Sequence, residues 1–131
     1  MYNGSCLCGA IKFQVRTEIK DIVYCHCSLC RKAQGSAFAV NGNLNLEDFE
    51  FLSGEDNLTE YKSNNEQSKF FCKTCGSPVM SKNTLHPDLV RIRLGLIESD
   101  IEERPGAHIF VSSKANWDEI NDELPQFEAS K

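Results

Sequence analysis

Seven cysteines in three tight clusters constrain this chain more than any other feature. Cys6-Leu7-Cys8 lies near the start, Cys25-His26-Cys27-Ser28-Leu29-Cys30 follows, and Cys72-Lys73-Thr74-Cys75 lies past the middle. Zinc closes a structural site with four protein ligands, whereas a reactive site uses three and keeps one position exchangeable. The outer pairs supply four sulfurs and the central trio three, so the count reads as one closed and one open site. A fold that brings residues 6 and 72 to one ion must join the N-terminus to the middle of the chain.

The bland alternative for the outer cysteines is burial as small hydrophobes, and two paired spacings argue against it. A disulfide framework is disfavoured because seven is odd and the opening Met1-Tyr2-Asn3-Gly4-Ser5 has no leader pattern. No apolar run approaches the length of a membrane span. The expectation is a single cytoplasmic domain over residues 1–131. The formal net charge is −5; residues 98–131 hold 9 acids against 3 bases. Thiolates add negative charge, no basic stripe faces it, and nucleic acid is not an expected partner.

Ile11, Phe13 and Val15 alternate with Lys12, Gln14 and Arg16, as do Val90, Ile92 and Leu94 with Arg91 and Arg93, the period of half-buried strands. Residues 21–24, 36–40, 49–52, 58–62, 69–72 and 107–111 also read as strands. Asn41-Gly42-Asn43, Ser53-Gly54 and Ser63-Asn64-Asn65 read as the breaks between them. The fold class expected is mainly β, with short antiparallel strands, a zinc-ribbon-like knuckle at Cys72–Cys75 and one or two short helices. Gly76 sits where that knuckle calls for a positive φ. Cys6 and Cys8 are expected on extended backbone. Ser28 is an expected N-cap for a helix over residues 29–34 that Gly35 stops and that returns Cys30 to the trio. Residues 117–124 read as a short helix or irregular cover, with Trp117, Ile120, Leu124 and Phe127 docking the tail.

Cys25 and Cys27 face one way and His26 the other. The trio is an open Cys₃ site or, if His86 or His108 joins it, a closed one. Arg31 and Lys32 are solvated helix residues or receive the carboxylates of an acidic ligand. An open site of three thiolates suits thiol binding better than hydroxide formation.

Four motifs in order then resemble the glutathione-dependent formaldehyde-activating enzyme family, which shares its domain with centromere protein V. They are Gly4-Ser5-Cys6-Leu7-Cys8-Gly9, Cys25-His26-Cys27-Ser28-Leu29-Cys30-Arg31-Lys32, Phe71-Cys72-Lys73-Thr74-Cys75-Gly76-Ser77-Pro78 and the tail from His108 through Trp117 to Phe127. The resemblance implies a β-tent fold and two Zn²⁺ per chain. One is structural on Cys6, Cys8, Cys72 and Cys75, and one catalytic on Cys25, Cys27 and Cys30. It also implies carbon-sulfur lyase chemistry on a glutathione adduct of formaldehyde or another small aldehyde. Arg31 and Lys32 are the candidate substrate-binding residues, and His26 or His108 a candidate for proton transfer. The rival functions are a non-enzymatic zinc module that binds a protein partner, and a thiol-based metal or redox buffer. Exposed strand edges make a homodimer conceivable.

Overall fold

A computed structural model describes all 131 residues. Ten strands and one α-helix follow in order: β1 (Tyr2–Ser5), β2 (Lys12–Val15), β3 (Lys20–Cys25), α1 (Ser28–Gln34), β4 (Ala39–Asn45), β5 (Phe49–Ser53), β6 (Leu58–Lys62), β7 (Gln67–Cys72), β8 (Pro78–Asn83), β9 (Leu89–Arg93) and β10 (Ala107–Ile109). They form a three-stranded sheet ordered β1-β2-β5 and a seven-stranded sheet ordered β10-β3-β4-β9-β8-β7-β6. Only the β10 to β3 pairing is parallel; the other pairs are antiparallel. The mainly β expectation therefore holds.

The two-residue alternation decides which faces meet. Ile11, Phe13 and Val15 are fully buried and pack with Leu44, Phe49, Val79, Met80, Val90 and Ile92 in one core fed by both sheets. Each such side chain contributes about 1.5 to 3 kcal/mol on leaving water. Cys6 and Cys72 belong to this core, so the ligand pairs are anchored in the layer that carries most of the burial. A second, smaller cluster of Val23, Cys25, Cys30, Ala39, Ala107 and Ile109 lies under α1.

Several expectations need correction. Asn41-Gly42-Asn43 is the middle of β4, not a turn, and pairs with β9 through Asn41↔Arg93 and Asn43↔Arg91. Gly42 is there for close approach, because a Cβ would meet Ile19 Cγ2 at 2.2 Å. Cys6 to Gly9 is a turn closed by Gly9 N–H donating to Cys6 O at 3.0 Å, not extended backbone. Cys27, not Ser28, caps α1, its sulfur accepting from Cys30 N–H. Gly35 does stop the helix, and Gly76 has φ +79°, where a Cβ would be strained.

No helix forms over residues 117–124. Trp117 is 70 % exposed, so it does not dock the tail. The backbone does that instead: His108 N–H donates to Pro125 O and Phe127 N–H to His108 O, both at 2.9 Å. Strands β1 and β8 went unread, since Tyr2-Asn3-Gly4-Ser5 and Pro78-Val79-Met80-Ser81 show no alternation of apolar and polar residues.

Glu103 ties the two sheets together. Its carboxylate accepts from the Tyr2 hydroxyl of β1 and from Ile19 N–H, at 2.8 Å, just ahead of β3. Burial raises its pKa, but the hydrogen bonds from Ile19 and Tyr2 outweigh that and leave it below the ordinary 4.5. The unfolded chain thus takes up this proton at higher pH than the folded one, so the contribution is present above about pH 4.5 and fades below it. Glu103→Ala is expected to lower stability by about 1 to 2 kcal/mol in urea denaturation at pH 7, and by less at pH 4.

Candidate metal centre

The four outer cysteines converge. Cys6 and Cys8 come from the turn after β1, Cys72 from the end of β7 and Cys75 from the turn that follows. Cys6 Sγ lies 3.6 Å from Cys8 Sγ, and Cys8 Sγ 3.8 Å from Cys72 Sγ. All four sulfurs fall within 4.8 Å of one another. Tetrahedral zinc with Zn–S near 2.3 Å requires sulfurs about 3.8 Å apart. The donor set fits.

Local donors point at two of the four sulfurs. Ile11 N–H points at Cys6 Sγ at 3.3 Å and Asn57 Nδ2 at Cys72 Sγ at 3.1 Å. Asn57 is held in turn by Thr74 Oγ1 at 2.9 Å. Hydrogen bonding with Ser77 draws the Cys75 thiol down to about 5. Leu7 N–H donates to Ser77 Oγ at 2.9 Å, which fastens one ligand turn to the other.

The trio is built differently. Cys25 ends β3, Cys27 caps α1, and Cys30 sits in the first turn of that helix. Cys25 and Cys27 sulfurs are 3.4 Å apart, and Cys30 N–H lies 3.4 Å from Cys27 Sγ. The three sulfurs form a group within 4.8 Å that no histidine joins. Hydrogen bonds from Cys25 and Cys27 pull the Cys30 thiol down to about 2, helped by the charges of Lys69 and Arg93. The contacts with Cys27 and Cys30 push Cys25 up. A divalent cation that binds the three sulfurs displaces whatever thiol protons they carry.

The trio opens into a cleft of about 630 Å³. The sheet register lays polar side chains along that face: Lys69↔Ser81 between β7 and β8, Ser81↔Arg91 between β8 and β9, then Arg91↔Asn43 between β9 and β4. All four line the cleft, as do Lys82 and His86. Lys69 Nζ approaches Cys30 Sγ at 3.9 Å. Neither Arg31 nor Lys32 is among the lining residues; both sit in the last turn of α1, where positive charge complements the helix carbonyl end.

Arg93 is 3 % exposed and was missed as a site residue. Burial lowers its pKa, while the charges of Cys30, Cys25 and Cys27 raise it, so the guanidinium is the buried counter-charge to the trio. Its Nη1 reaches Ser81 Oγ at 3.4 Å and Arg91 O at 3.3 Å. Arg93→Met is expected to keep the fold and to weaken metal retention at the trio on the order of tenfold, read by chelator competition.

His26 does face away, as the alternation requires. It is fully buried, and its Nε2 lies 2.8 Å from His108 Nδ1. His108 Nε2 then meets the Asp122 carboxylate at 2.9 and 3.1 Å. This relay braces the trio's strand end against the tail, and neither ring lines the cleft. Of the three histidines only His86 does.

Residues 1–113 match the model of the glutathione-dependent formaldehyde-activating enzyme family. The chain belongs to that family. A protein of Halomonas elongata named for the same activity is 28 % identical over 128 residues, spanning 92 % of this chain and 81 % of its own. An uncharacterized lyase of Schizosaccharomyces pombe is 32 % identical over 76 residues, 58 % of this chain and 53 % of its own. A Rhodobacter sphaeroides crystal structure superposes with a TM-score of 0.63 at 28 % identity, covering 76 % of this chain and 91 % of that one. The family is thus matched by sequence and fold, and its two cysteine groups are compatible with zinc.

Proposed function

We propose that this protein is a zinc-dependent carbon-sulfur lyase that makes and breaks the S-hydroxymethyl adduct of glutathione. The observation that carries the proposal is the contrast between the two cysteine groups. Four sulfurs meet in the number that completes a tetrahedral ion, whereas three sulfurs face a cleft lined by Lys69, Lys82, His86 and Arg91. Cys6, Cys8, Cys72 and Cys75 would hold the structural ion, and Cys25, Cys27 and Cys30 the catalytic one. An ion at the trio would supply a Lewis acid that favours thiolate over thiol.

The chain's own residues do the rest. Lys69, Lys82 and Arg91 present the positive charge that the two carboxylates of glutathione need, in place of Arg31 and Lys32. Arg93 and Lys69 offset the negative charge that three thiolates gather. The net reaction adds the thiol sulfur to the aldehyde carbon and moves the thiol proton to the aldehyde oxygen, so nothing is oxidised. His86 is the histidine placed to meet that proton, since His26 is committed to His108 and His108 in turn to Asp122.

The test is magnetisation exchange by NMR between free formaldehyde hydrate and the adduct in mixtures with glutathione. Metal-replete protein is expected to raise the exchange rate at least tenfold above the uncatalysed one. An unchanged rate at saturating glutathione would contradict the lyase reading and favour a binding module.

A further inference from the structure

Asn41 is the one cleft residue with an unanswered hydrogen-bonding demand. Its side chain is 1 % exposed, yet neither Oδ1 nor Nδ2 has a partner in the protein. It lines the cleft together with Cys25, Cys27 and Cys30. Buried amides are nearly always paired, and an orphan marks a site with something to bind. Its position is fixed from both sides, since β4 pairs Asn41 with Val23 of β3 and with Arg93 of β9. A glycine beside it, Gly42, lets Ile19 close over the neighbouring position on the opposite face.

The chemistry of the orphan narrows what it takes. An amide offers one acceptor and a pair of donors, without charge. A carboxylate only accepts and an ammonium only donates, so Lys69, Lys82 and Arg91 of the cleft match the carboxylates of an acidic peptide. The amide matches a neutral group that both donates and accepts, which is a hydroxyl. Its place in the same cleft lining as the three sulfurs fits a hydroxyl carried one or two carbons from a bound sulfur.

We propose that Asn41 is the hydroxyl-recognising residue of the cleft, its Oδ1 accepting from and its Nδ2 donating to the hydroxyl of a thiol-bound hydroxymethyl group. This rests on the thiol-adduct reading given above and adds the residue that distinguishes an aldehyde adduct from a plain thioether. A site built to hydrogen-bond a substrate hydroxyl rejects the analogue lacking it, because its own polar groups are then left unpaired.

The test uses two stable ligands of equal size, S-(2-hydroxyethyl)glutathione and S-propylglutathione, titrated calorimetrically into metal-replete protein. The wild type is expected to prefer the hydroxyl by about tenfold. Asn41→Leu is expected to lose that preference while binding the propyl ligand within about threefold of wild type. The ligand-free melting temperature of Asn41→Leu is expected not to fall, since an unpaired amide is replaced by an apolar side chain of the same branched outline.

Should Asn41→Leu disturb β4, the wild-type protein decides the matter alone. The Asn41 side-chain amide signals in ¹⁵N NMR are expected to shift with the hydroxyethyl ligand and not with the propyl one. Equal shifts, or equal affinities, would overturn the role of Asn41 and leave the thiol-adduct reading standing. Failure of both ligands to bind would overturn both.

Discussion

Cys72→Ser is expected to leave the protein largely unfolded, with soluble yield and far-ultraviolet circular dichroism both collapsing. Cys72 is fully buried, belongs to the main core and draws the first ligand turn to the end of β7. Structural zinc in small domains is worth about 10 to 16 kcal/mol of apparent binding free energy. A typical domain has only about 5 to 15 kcal/mol of net stability. Losing one of four sulfurs therefore removes an interaction as large as the margin by which the fold exists. Exhaustive chelation of the wild type should reproduce the effect, and zinc added back should reverse it. A soluble Cys72→Ser protein with the wild-type melting temperature would show that the four-sulfur group is not what closes the fold.

Cys30→Ser is expected to do the opposite. Cys30 packs in the smaller cluster under α1, away from the main core. The helix cap rests on Cys30 N–H rather than on its side chain. The variant should fold within about 2 kcal/mol of wild type, since serine replaces a near-isosteric thiol. It should lose one metal per chain and at least a hundredfold of the exchange rate, because the remaining two sulfurs cannot hold an ion in place. Zinc content, melting temperature and exchange rate measured together separate the two variants. Equal destabilisation by Cys30→Ser and Cys72→Ser would abolish the division of roles between the groups.

The grouping of the cysteines into a set of four and a set of three was legible because coordination chemistry writes itself into spacing. Two pairs and a trio can satisfy one closed and one open site in few ways, and the side to which His26 turns follows from its place between Cys25 and Cys27. The strands with clean alternation, β2 and β9, were legible for the same kind of reason. The cleft was not. Asn41, Lys69, Ser81 and Arg91 come from four strands, and they meet only because β4, β9, β8 and β7 are neighbours in one register.

The place where residue rules misled most is also the place where the site lies. Asn41-Gly42-Asn43 has the composition of a turn, yet the asparagines line the cleft and the glycine makes room for Ile19. Functional positions are where local propensity and global fold are expected to disagree. Arg31 and Lys32 drew attention by adjacency to the trio, but the helix carries them out of the cleft lining, while Lys69 reaches Cys30 from a distant strand. The tail misled for a different reason: Trp117 reads as core by size, whereas backbone hydrogen bonds to His108 and Phe110 hold that segment in place.

The most direct measurement is the absorption spectrum of the cobalt-substituted protein, with two Co²⁺ per chain, as glutathione is added. Glutathione is expected to strengthen the sulfur-to-cobalt charge-transfer bands by one thiolate per chain, as its sulfur joins the three of Cys25, Cys27 and Cys30. The same titration on Cys30→Ser should leave the spectrum of the remaining cobalt unchanged. A wild-type spectrum indifferent to saturating glutathione, or protein that accepts only one cobalt per chain, would contradict a closed four-sulfur group paired with an open three-sulfur one.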